Sequence, residues 1–102
     1  MALSKNKIKY IHSLELKKNR KTEKAFLAEG HKLVGDLLGH FHCRLLAATD
    51  KWFINNKELQ LNDVGETLIV NEEELSRASL LKTPQQVLAV FDQPEYPTDA
   101  PY

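Results

Sequence analysis

Lys17, Lys18, Arg20, Lys21 and Lys24 place five cations within eight residues, and the apolar run Ala25-Phe26-Leu27-Ala28 follows at once. Side chains of this type at this density suit a polyanion, because each phosphate they neutralise releases condensed counter-ions. Lys32 lies just beyond Glu29-Gly30, where the sequence predicts a turn from a strand into a helix, so backbone N–H groups there would add to the attraction for phosphate. Glu29 has two readings. An acid beside a helix start stabilises the helix dipole and pairs with a neighbouring cation, which is structural; the sharper alternative is a contact with a ribose hydroxyl. His31 and Phe26 suggest base stacking, but Phe26 falls within the strand and is expected in the core.

Other chemistry is poorly supported. His40, His42 and Cys43 offer three potential metal ligands within four residues. Alternation along an extended segment would put the two histidines on one side and the cysteine on the other, with no fourth ligand, so no zinc site is expected. A Cys43 nucleophile activated by His42 fails for the same reason, and no third group orients the pair. Glu72, Glu73 and Glu74 resemble a carboxylate cluster but fit a helix N-terminus after Asn71. The glycines at 30, 35, 39 and 65 match neither a phosphate-binding loop nor a dinucleotide fingerprint.

The elements that must position these residues can be read from periodicity and punctuation. Ser4 caps a first helix carrying Ile8, Ile11 and Leu14, which is expected to fade near Asn19 and leave the basic segment as a loop. Ala25–Ala28 is a short buried strand, and Gly30 permits the tight connection to a helix carrying Leu33, Val34, Leu37, Leu38 and Phe41. Cys43–Ala48 is a second strand. Thr49 or Asp50 caps a short helix with Trp52, and Thr67–Val70 is a third strand by its β-branched content. Asn71 starts a fourth helix, Pro84 closes the loop after it, and Val87–Phe91 is the fourth strand. Continuous apolar strands alternating with helices predict an α/β fold, a three-layer α/β/α sandwich around a mostly parallel four-stranded sheet.

Composition sets the outer bounds. A chain of 102 residues, 42% hydrophobic and 27% charged, forms one domain with a modest core. No run approaches the length of a membrane helix, no signal-peptide block opens the chain, and the single cysteine forbids an internal disulfide; no membrane association and a cytoplasmic location are expected. The fourteen cations and fourteen acids cancel, yet residues 1–32 hold nine of the cations and three of the acids, a surplus of +6 that the remainder offsets. Such polarity concerns partners rather than fold.

The segment RKTEKAFLAEGHKLV, preceded by KIKYIHSLELKKN and followed much later by SLLKTPQQVLAV, resembles the N-terminal substrate-binding domain of the SpoU/TrmH-class RNA ribose 2′-O-methyltransferases. Its most specific pieces are Arg20 with Phe26 to Gly30, and Thr83-Pro84-Gln85 with Val87 to Val90; Gln86 departs from the glycine common in the family. The resemblance implies a ribosomal-protein-like fold that binds structured RNA, either rRNA or tRNA, through Lys17, Lys18, Arg20, Lys21, Lys24, Glu29 and Lys32, with Lys82, Thr83 and Gln85 reaching the same RNA from a neighbouring loop. It also implies a C-terminal knotted catalytic domain that binds S-adenosylmethionine. Residues 1–93 would then be the RNA substrate-binding domain and 94–102 a linker toward that catalytic domain. The chain itself would be monomeric and inactive, holding no cofactor and no metal. A stand-alone RNA-binding or protein-interaction module is the alternative, with Trp52, Tyr96 and Tyr102 as interface aromatics.

Overall fold

The computed structural model describes residues 3–57, 64–83 and 85–93. Pro84, the 94–102 linker and the tyrosines at 96 and 102 lie outside them. The first helix, α1 (Lys5–Ser13), is capped by Ser4, whose Oγ accepts from the Lys7 amide. It stops well short of Asn19. Leu14 is buried and pins the chain, and a second helix, α2 (Lys17–Glu23), takes up the segment expected as a loop. Leu14 and Glu15 carbonyls at this break accept from Arg20 Nη1, both at 2.9 Å, and the Ser13 carbonyl accepts from Asn19 Nδ2. Carbonyls orphaned at the end of one helix are thus satisfied by side chains of the next. Lys24 closes α2 in the left-handed region at φ 54°, and β1 (Ala25–Glu29) begins.

Gly30 joins β1 to α3 (His31–Leu37) at φ +103°, with its amide donating to the Val87 carbonyl at 3.0 Å. A side chain there would have room, since an added Cβ would meet only Gln85 Cγ, at 3.6 Å. Gly30→Ala is therefore expected to cost about 1–3 kcal/mol through backbone strain alone, measurable by urea unfolding. The third helix ends at Leu37 rather than Phe41; Gly39, at φ +91°, turns the chain so that the Phe41 ring packs edge-on against Phe26. Beyond the turn come β2 (Cys43–Ala48), α4 (Asp50–Asn55), β3 (Val64–Ile69), α5 (Glu72–Ala78) and β4 (Val87–Asp92). Thr49 caps α4, and Asn71 with Glu74 forms a reciprocal capping box on α5. The third strand starts at Val64, earlier than Thr67, because pairing with Cys43 extends it.

The sheet order is β1-β4-β2-β3, and it is mixed rather than mostly parallel. Only β2 and β3 run parallel; β4 lies antiparallel to both β1 and β2. The cause is the connection before β4. After the seven residues of α5, the segment 79–86 brings the chain back to the end of the sheet where β1 and β2 finish, with Gln86 accepting from the Thr49 amide and Val87 from the Gly30 amide.

Two apolar clusters lie on the two faces of this sheet, which makes the three layers. Ile11, Leu14, Leu45, Leu75, Leu88 and Val90 lie under α1 and α5; Val34, Leu46, Trp52, Val87 and Phe91 lie under α3 and α4. Central β4 is buried from Val87 to Phe91. Arg44 ties the rim together. Its guanidinium bonds Asp92, the Tyr10 hydroxyl and the Glu23 and Lys24 carbonyls, and Asp92 above all, then Tyr10, raise its pKa still further above the ordinary arginine value, so it stays charged. Among the described residues no helix is long and apolar enough to cross a membrane.

Candidate nucleic-acid interface

The second helix buries none of its residues, and Lys17, Lys18, Lys21 and Lys24 at its surface are exposed. None of Lys17, Lys18, Lys21, Lys32 and Lys82 forms an ion pair among the described residues. Three acids of the rest of the chain are paired elsewhere: Glu66 holds Lys7, Glu73 holds Arg77 and Asp92 holds Arg44. Arg20 differs from its neighbours. It is half-buried, and one of its terminal nitrogens is committed to the end of α1.

Beside α2, along the free edge of β1, lies a groove of about 330 Å³ lined by Arg20, Leu27, Glu29, Leu33, Leu80 and Leu81 with the end of α1. Glu29 is held inside the fold. Its carboxylate accepts from Ser79 Oγ at 2.5 Å and from the Leu80 amide at 2.9 Å, so the acid anchors the segment that leaves α5. Lys32 and Lys82 are exposed, and each neighbours a groove residue in sequence, Leu33 and Leu81.

Thr83 and Gln85 face a different concavity. At the end of the sheet where β1 and β2 finish, a cleft of about 600 Å³ is walled by these two residues and Gln86, by His31 at the start of α3, and by Trp52, Asn55 and Asn56 of α4. Among the described residues its lining holds no ammonium, guanidinium or carboxylate. The α4 contribution escaped the sequence reading, in which Trp52 is an exposed interface residue. Trp52 is 3% exposed, against Phe53 and His31 with ring centroids at 5.3 and 6.2 Å. With Trp52 buried, the protein-interaction alternative loses that residue as an interface aromatic, while both tail tyrosines lie outside the described residues. Phe26 belongs to the core, stacked on Phe91 at 5.8 Å. Cys43 is buried with its Sγ donating to the Leu45 carbonyl, whereas His40 and His42 are exposed.

A family model described as the MRM3-like substrate binding domain matches residues 5–89. The chain belongs to this family. Solved structures agree with the assignment. The substrate-binding domain superposes with a TM-score of 0.81 on a structure assigned to the TrmH family of RNA methyltransferases from Porphyromonas gingivalis, at 38% identity, covering 95% of this chain and 38% of that one. An AdoMet-bound rRNA methyltransferase from Sinorhizobium meliloti matches at 30% identity and a TM-score of 0.72, with 95% of this chain and 37% of that chain covered. An RNA 2′-O ribose methyltransferase at 19% identity and a TM-score of 0.71 shares the fold. The MRM3-like domain thus spans less than two-fifths of the length of these structures. No curated protein shows a significant sequence match to it.

Proposed function

We propose that this domain grips a folded RNA, rRNA or tRNA, for a ribose 2′-O-methyltransferase whose catalytic domain lies elsewhere in the full protein. Residues 1–93 are the recognition unit and 94–102 the linker to chemistry. The observation that carries the proposal is the row of exposed lysines on α2, of which Lys17, Lys18 and Lys21 form no ion pair among the described residues, in a family described as substrate-binding. Lys17, Lys18, Lys21 and Lys24 hold phosphates along one helix; Lys32 and Lys82 extend the cationic rim across the β1 edge. Arg20 and Glu29 keep that rim in place, Arg20 by capping α1 and Glu29 by tethering the segment that carries Lys82. Side chains cannot enter the deep major groove of an RNA helix, so selectivity comes from RNA shape and unpaired bases.

S-adenosylmethionine is assigned to the catalytic domain and not to this one. The domain acts as a monomer in the cytoplasm, and alone it binds without catalysing. Titration of the chain with a ribosomal RNA hairpin between about 50 and 200 mM salt tests the proposal: several phosphate contacts are expected to weaken binding by orders of magnitude over that range. Affinity that ignores salt would remove the basic surface from the mechanism.

A further inference from the structure

The cleft at the end of the sheet has a second property that the basic surface does not explain. Trp52 forms part of its wall, and the indole Nε1 is a buried donor without a hydrogen-bond partner among the described residues. A buried N–H left unmade is costly, and such atoms are rare in folded proteins. Around it stand side chains that combine donors and acceptors. Asn55 and Gln86 are exposed carboxamides with no side-chain bond among the described residues, Gln85 makes only a 3.4 Å contact with the Thr83 carbonyl, and the exposed His31 ring lies edge-on to the indole.

The chemistry of this lining selects its ligand. A phosphate would need cations and a metal would need carboxylates or several imidazoles, and the described residues of the cleft offer neither set. Carboxamides, one imidazole and an indole N–H match the edge of a nucleobase, which presents carbonyl or ring-nitrogen acceptors beside amino or imino donors. We infer that this cleft receives one unpaired nucleobase of the bound RNA, with Trp52 Nε1 donating to an acceptor on the base edge, Asn55 and Gln85 completing the pattern, and His31 packing on the base. The inference rests on the RNA-binding role proposed above and adds a base-reading pocket separate from the lysines of α2.

Trp52 is the only tryptophan, so its indole N–H gives a single, unambiguous resonance in an ¹⁵N-labelled sample. That resonance is expected to shift on adding at least one of the four nucleoside 5′-monophosphates at millimolar concentration, to stay in place with ribose 5-phosphate, and to shift again when a ribosomal RNA hairpin saturates the protein. Trp52→Phe keeps an aromatic ring but lacks the donor, and is expected to lower hairpin affinity about fivefold to tenfold, the worth of one neutral hydrogen bond, with an unchanged salt slope. Should Trp52→Phe fold poorly, Asn55→Ala and Gln85→Ala at exposed positions carry the test, each expected to shrink the indole shift caused by the monophosphate. An indole resonance unmoved by all four monophosphates, while the hairpin binds through α2, overturns the pocket and leaves the basic surface intact. A shift with monophosphates in a protein whose hairpin affinity ignores salt upholds the pocket and removes the lysine surface. If neither hairpin nor monophosphate perturbs the protein, both fall.

Discussion

Replacing Lys17, Lys18 and Lys21 together by alanine is expected to lower affinity for a structured RNA by about 100-fold near 0.1 M salt and to reduce the slope of log affinity against log salt by roughly 2–3. Each neutralised phosphate contributes about 0.7 to 0.9 to that slope, depending on how helical the RNA is, so three lost contacts fix both figures. The triple variant should fold normally. All three side chains are exposed on a helix that buries nothing, none is ion-paired, and alanine is the better helix former. Arg20→Ala is the wrong probe for the same purpose, because it would also free the Leu14 and Glu15 carbonyls and undo the junction of α1 with α2. Filter binding or fluorescence anisotropy at several salt concentrations reads the effect. An unchanged slope in the triple variant would place the RNA on another face.

Glu29→Ala is expected to destabilise the fold by about 2–3 kcal/mol, or roughly 8–16 °C in melting temperature for a domain of this size. The carboxylate is half-buried and accepts two hydrogen bonds from the chain just after α5, and a charged acceptor makes the stronger class of bond. Its loss strands the Ser79 hydroxyl and the Leu80 amide. Glu29→Gln retains an oxygen for the Leu80 amide and should recover about half of the stability. Amide exchange at Leu80 and thermal melts distinguish the variants. A Glu29→Ala protein as stable as the parent, yet deficient in RNA binding, would return the acid to a direct ribose contact and remove its tethering role.

These two residues show what could be read in advance. The Glu29-Gly30 pair carried its own signal, since a glycine after a short apolar strand marks a turn that other residues avoid, and the structure places Gly30 at a positive φ. Helix starts at Ser4, Thr49 and Asn71 were equally legible, because a cap is a local interaction between a side chain and an amide two or three residues on. The direction of β4 was not legible. Alternating strands and helices report which faces are apolar, but the polarity of β4 follows from where the connection after α5 returns to the sheet, a connection held by bonds to Glu29 from residues fifty positions away. The basic helix α2 was read as a loop because it has no apolar stripe, although lysine and arginine are good helix formers. By residue type Arg20 belongs with the phosphate ligands, and its Nη1 has a structural role besides. Its partners are backbone carbonyls, which no residue type announces. The burial of Trp52 is not legible in the sequence, because a six-residue helix is too short to show which side faces a sheet.

The final strand lies in the interior of the sheet, and this governs when the domain can assemble. Among the described strands β1 pairs only with β4, so a nascent chain emerging from the ribosome holds β1 without a neighbour until residues near Asp92 have been synthesised. Non-local pairing of this kind slows folding and delays closure to the end of translation of the domain. Any tension transmitted through the residues after Asp92 would load hydrogen bonds to β1 and β2 at once, which gives the polypeptide a mechanically firm exit from this domain.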